Sequence, residues 1–534
     1  VSGTDDTATS NTAYGFSALQ AITTGDANVG LGHRAGFNLT TGERNILIGA
    51  RTGENITDGD YNIAIGDEAL FTENGHGKNI AIGYHALRAQ DAGADALNIA
   101  IGHNTGAAMT TGVQNTLIGS LAGDALTTGQ RNTALGTYAL STEDTGSRST
   151  AIGWYSLLMQ NYDGIAYNTA VGYNSGGAIT TGSGHTIVGA LAGDAITTAT
   201  VNTIVGYTAG TNLETGSENV IIGSAAMNSA NGSESKNVAI GTNALYAMDS
   251  DGNNYNVAVG YDAGKAVTTG TQNTVVGGNA GDTLTTGERN TALGYNALSS
   301  EDSGSRNVAI GRGSLAVLNY NGDGYNTAVG YAAGGAVTTG VKNTLIGGNA
   351  GLALTTGVFN TAVGFEALHN EDEGHYNTAI GYHALTTLNV DDGYNTAVGF
   401  EAGKLMTTGV RNILVGAGTG DALTTGNYNT AVGHFALSTE DTHSGNTAIG
   451  YTALFTQNAG ADAFNTAVGY QAGYAMTTGI QNTIVGGKAG DALTTGAYNT
   501  VLGYSALSSE DTGGRSTAIG YFALSQQNND SDNY

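Results

Sequence analysis

One seventeen-residue phrase recurs through this chain. NTAVGYQAGYAMTTGIQ (465–481) is followed at once by NTIVGGKAGDALTTGAY (482–498), and thirty such units begin between residues 11 and 516. Most are spaced by 17 residues, some by 18 or 19. So short a period cannot hold a helical pair or a propeller blade. It suits one turn of a β-solenoid, in which each coil stacks on the last. The expected fold is all-β: a parallel β-solenoid of about 30 coils of 17–19 residues, one continuous array over 1–534. With strands about 4.8 Å apart, such an array would extend roughly 140–150 Å.

Composition narrows the class. There are 86 Gly and no Pro. Glycine without proline or a G-X-Y period excludes collagen, and the low charge argues against a disordered linker. The net charge of −27 would repel phosphate backbones, so nucleic acid is not an expected partner. No cysteine is present, and no run of 18 apolar residues, so no membrane span is expected. The chain opens VSGTDDTATS, without a signal peptide, and ends SDNY, which reads like the start of another unit. It therefore reads as a segment of a longer protein.

The units share a grammar, counted from the leading Asn as position one. Position two is Thr, Val or Ile, position four is Val, Ile or Leu in 29 units, and position five is always Gly. Positions two to four read as a strand, with position four facing the core (Val468, Val485) and the glycine turning the corner. Position nine is Gly in fifteen units and Leu or Met in the rest, mostly in the order Gly, Gly, Leu, Leu. Each Gly there is accompanied by an aliphatic residue or Met at position twelve, such as Met476 and Leu493. After Leu, position twelve is often Glu (Glu143, Glu301, Glu371, Glu440, Glu510). Positions nine and twelve therefore compete for one piece of core volume. A second trade links positions three and six: Ala467 goes with Tyr470, but Leu345 with Gly348 and Ile484 with Gly487. If alternation turns position three away from the core, this trade implies a covered face, most simply covered by another copy of the chain. The interface candidates are then Tyr261, Tyr331, Tyr470, Leu345 and Ile484.

Four coils form a higher unit of about 70 residues, at 256–325, 326–394 and 395–464, with longer loops only after position nine. The leading Asn forms a column through Asn326, Asn343, Asn360, Asn377, Asn395, Asn412, Asn429, Asn446, Asn465 and Asn482. Such a column could be a ligand-binding amide array. The simpler reading is a structural ladder that hydrogen-bonds along the axis and satisfies a bend.

Catalytic motifs are absent: there is no HExxH, GxSxG, P-loop lysine or CxxC. The histidines at position six (His33, His103, His434) read as substitutes for Tyr. Asp163, Asp323, Asp391, Asp392 and Asp462 recur in the fourth coil, near the Glu440–Asp441 pair of the third. Calcium suits such carboxylates, and no other cofactor is expected. The alternative is a solvated acidic edge that discourages side-on association.

The motifs NTAVGYxAG, NTAIGYxAL and TTGxxNT, repeated over nearly the whole chain, resemble the head repeats of YadA-like trimeric autotransporter adhesins and related bacteriophage tail-fibre repeats. The resemblance implies a left-handed β-roll, three chains about one axis and a role in attachment. The coils are about three residues longer than typical adhesin-head coils, and no neck or stalk is visible. The expected function is thus a non-enzymatic structural and adhesive shaft of an extracellular fibre, on a bacterial surface or, alternatively, a virion. Its partners would be other copies of itself, with surface glycans or a host receptor. The 27 Tyr would either stack on sugars or cement chains together, and the trade with position three favours the second. Regular Thr at position two raises one rival, an ice-binding solenoid. Carbohydrate cleavage by paired carboxylates would be the opening for an enzyme.

Overall fold

The computed structural model describes residues 8–529 and Asp532. The opening VSGTDDT and all of SDNY but Asp532 lie outside them. Among the described residues there is no helix, and thirty strands of three residues each occupy positions two to four of the thirty units. They belong to two compact units, Val1–Thr269 and Gly270–Tyr534. The first holds β1 (Thr12–Tyr14) to β15 (Val257–Val259), the second β16 (Thr274–Val276) to β30 (Thr517–Ile519). Within each unit, successive coils pair in parallel and in register, as in Thr327↔Thr344, Ala328↔Leu345 and Val329↔Ile346. The chain is thus a parallel β-solenoid.

The stacking continues past the strands. Asn349 N–H donates to Tyr331 O (2.8 Å), Gly351 N–H to Ala367 O (2.9 Å) and Ala353 N–H to His369 O (3.0 Å). Corners between these bonds use left-handed backbone at non-glycine residues: Asn349 (φ 56°), Phe359 (φ 59°) and Leu368 (φ 54°), at positions seven, seventeen and nine. Position five differs. Gly347 has φ 137°, and a Cβ there would lie 2.3 Å from the Gly364 carbonyl oxygen, so no side chain fits.

The inward face corrects the expected one. Val468 and Val485 are half-buried, whereas position three is fully buried in the chain's own coil, Leu345 and Ile484 included. The reason lies at position one, whose Asn is buried and hydrogen-bonded across the coil. Alternation from an inward position one brings position three inward and sends two and four out. Leu345 and Ile484 are therefore core residues and not interface residues. Met476 and Leu493 are fully buried.

Position three trades with position nine. Leu345 lies between Gly334 and Gly351, where added Cβ atoms would approach its side chain to 2.7 and 2.8 Å. Leu414 lies likewise between Gly403 and Gly420 (2.8 and 3.0 Å). Conversely Leu19, at position nine, leaves room only for Gly30, whose Cβ would come within 2.6 Å of it. The sequence obeys this without exception: all ten large residues at position three follow a coil with Gly at position nine, and after Leu or Met position three is always Ala or Gly. The correlation with position six reflects the shared four-coil phase. Small residues occur there where the next ring leans over them, as Phe365 does 3.3 Å from a Cβ at Gly348.

Candidate functional site

The Asn column is internal. All ten residues from Asn326 to Asn482 are buried. Asn343 Oδ1 accepts from Asn360 N–H (2.9 Å), and its Nδ2 donates to Gly357 O of its own coil (2.8 Å). Eight of these ten amides both close their coil and dock the next, which leaves nothing there for a ligand. At Asn377 and Asn446 the coil has a longer loop in place of TTG, and Nδ2 has no partner. The first Thr of the TTG corners extends the ladder, as in Thr338 Oγ1 to Thr355 O (3.2 Å).

Two exposed features run along each unit. The first is the outward strand face. Position four is half-exposed (Ile346 38%, Ile380 38%, Leu502 48%), and beside it Tyr261, Tyr331 and Tyr470 are exposed by 61%, 57% and 53%. Rings there stack coil on coil: Phe365–Tyr382 (5.8 Å), Tyr382–Phe400 (5.4 Å), Tyr451–Tyr470 (5.4 Å). Arg312 takes the place of a ring between Tyr295 and Tyr331, with its guanidinium 5.9 and 5.6 Å from theirs.

The second is a column at the residue before each leading Asn. Ten of the seventeen Lys and Arg stand there, interspersed with ten Tyr and Phe. Arg306 covers Tyr325 (5.5 Å), Lys342 covers Phe359 (4.9 Å), Phe359 stacks on Tyr376 (5.4 Å) and Tyr376 on Tyr394 (4.8 Å), and Arg411 covers both Tyr394 and Tyr428. Sequence reasoning noticed the tyrosines but missed the cations, although counting charge by position in the unit would have found them.

The carboxylates do not share one edge. Asp163, Asp323, Asp391, Asp392 and Asp462 are exposed. Asp163 accepts from Thr145 Oγ1 (2.9 Å), Asp323 pairs with Arg306, and Asp462 accepts from Ser444 N–H (3.2 Å). None of the five belongs to a group of three metal-ligating side chains among the described residues. Glu440, expected beside them, is buried with the other position-twelve glutamates, while Asp441 is half-buried. Glu371 shows why: its carboxylate accepts from Gly374 N–H (2.8 Å) and from Val390 N–H of the next coil (3.3 Å), tying two loops from inside. Burial pushes the carboxyls of Glu73 and Glu371 up to about 7, and those of Glu143, Glu301 and Glu440 upward.

Fold and surface together define a class: a parallel β-solenoid repeat protein whose distinctive chemistry lies in long surface columns. No protein-family model matches the chain, and no curated protein sequence matches it.

Proposed function

We propose that this chain is a non-enzymatic structural and adhesive shaft segment of an extracellular fibre, in which three left-handed β-rolls associate through their outward strand faces. One observation carries the reading: within each unit, half-exposed Val, Ile and Leu at position four run beside exposed aromatic rings at position six. Extended apolar surface of this kind is rare on soluble monomers and favours association. A second copy of the same chain offers matching periodicity, coil for coil. The adhesive part rests on the cation–aromatic column. Exposed rings one coil apart present flat faces to sugars, and the intervening Arg and Lys present donors to acidic groups. The same geometry would serve on a bacterial surface or in a bacteriophage tail fibre.

Light scattering tests the assembly. A mass near three times 53.6 kDa is expected, and a monomer would overturn the trimer. Position two supports a second reading, because its Thr shares the outward face, half-buried or exposed, as an ice-binding array requires. Thermal hysteresis at micromolar protein would favour that reading.

A further inference from the structure

The position-twelve glutamates fall into two sets. Where position fifteen is Gly, both carboxylate oxygens are satisfied. Glu143 accepts from Gly146 N–H, Gln160 Nε2 and Tyr162 N–H, and Glu301 accepts from Gly304 and Tyr320 N–H. Where position fifteen is His, the pattern breaks. Glu73 and Glu440 are wholly buried, yet Oε2 of each has no hydrogen-bond partner. Burying a carboxylate oxygen without a partner is costly, and a neighbouring cation is the usual remedy.

The histidines supply what such a cation would need. His443 Nδ1 lies 2.7 Å from Glu440 Oε1 and 3.9 Å from Asp441 Oδ1. His76 Nδ1 lies 3.5 Å from Glu73 Oε1 and, like Glu73 Oε2, makes no hydrogen bond. Asp91, from the next coil, completes that group as Asp441 completes the other. In each group one ligand atom per residue lies within 4.8 Å of the others. The same Glu-x-x-His pair thus occurs once in each unit of the chain, joined by a carboxylate of the next coil in the first and of the adjacent residue in the second.

We propose that Glu73–His76–Asp91 and Glu440–Asp441–His443 are two binding sites for a divalent cation of the zinc class. Two carboxylates and one imidazole match the oxygen–nitrogen ligand set of zinc, with a fourth position left to water. Calcium, which takes six to eight oxygens, fits poorly. The two carboxylates would balance the charge of the ion. The position-fifteen N–H already donates to Oε1 in both sites, from His76 (3.2 Å) and His443 (3.1 Å), so the ion would serve Oε2, which at Glu143 and Glu301 accepts from an N–H of the next coil.

Calorimetric titration of the full chain with zinc chloride at pH 7.5 tests this. Two ions per chain are expected, falling to one in His76→Gly or His443→Gly and to none in the double variant. Glycine is what four of the third coils with Glu at position twelve carry at position fifteen (Gly146, Gly304, Gly374, Gly513), so the variants keep a sequence this fold already uses. Zinc uptake unchanged in the double variant, or absent from the unaltered chain, would overturn the assignment. Cobalt(II) added to the unaltered chain gives a check independent of the variants. An intense visible spectrum of low-coordinate nitrogen–oxygen ligation is expected, and the weak spectrum of the hydrated ion would refute the sites.

Discussion

Leu345 and Gly351 provide the sharpest test of the core. Leu345→Ala alone removes a fully buried side chain and should cost about 2–5 kcal/mol. Gly351→Leu alone drives a side chain into Leu345, whose Cδ2 lies 2.8 Å from the new Cβ, at about 1–3 kcal/mol. Backbone is no obstacle, since φ is 56° at Gly351 and 50° at Leu385, which already occupies the same position in its coil. Independent effects would sum to roughly 3–8 kcal/mol. Together, however, the changes create the combination Ala, Leu, Leu at positions three, nine and twelve, which Ala379, Leu385 and Leu388 already form, fully buried. The double variant should therefore recover about 1–3 kcal/mol of the sum, or roughly 5–150-fold in local opening. Hydrogen exchange of the Thr344 and Gly351 amides, bonded to Asn360 O and Ala367 O, reads that opening locally. Additivity within about 0.5 kcal/mol would refute the shared volume.

Other outcomes are equally definite. The folded Glu371 carboxyl sits at about 7 against an ordinary 4.5, so its contribution is fully present below pH 4.5 and is lost as pH rises through 7. Glu371→Gln should flatten that part of a melting-temperature profile, a change worth at most roughly 3 kcal/mol. Asn343→Ala strands the Asn360 N–H and the Gly357 carbonyl, and should cost about 2–5 kcal/mol, seen as faster exchange in both coils. Gly364→Ala would set a Cβ 2.3 Å from Gly381 O at φ 138°, and limited proteolysis should then cut near that coil. Val468→Ser with Tyr470→Ser should leave circular dichroism unchanged but lower the solution mass, because both side chains point outward.

The coil count, the glycine corner and the Asn ladder were legible because each rests on one residue type at one position. The inward face was not. Positions three and four are both apolar in units such as Ile484–Val485, and a three-residue strand is too short for alternation to choose between them. The deciding information was at position one, whose buried amide fixes the phase, and in the coupling of Leu345 to glycines in its own coil and the preceding one. Comparison of positions within a single unit could not find that second link. The left-handed corners at Asn349 and Phe359 leave no mark in the sequence, since ordinary residues fill them. The Glu–His clusters were hidden because Glu440 resembled the exposed acidic loops, while His443 occupies a place where glycine is usual.

The fit of Leu345 between Gly334 and Gly351 also bears on how such a gene can change length. Deleting the coil at 343–359 would set Gly334 against Ala362 and open a void, whereas deleting 395–411 would press Leu385 against Leu414. Over most of the array, removing four consecutive coils restores each neighbour to a residue of the kind it had before; the run of five coils at 168–255, with Gly176, Gly193, Gly210, Met227 and Leu245 at position nine, breaks that period. Recombination between copies of the repeat would then leave folded products mainly in steps of about 70 residues, so the length of this protein should vary across strains as a staircase with four-coil treads.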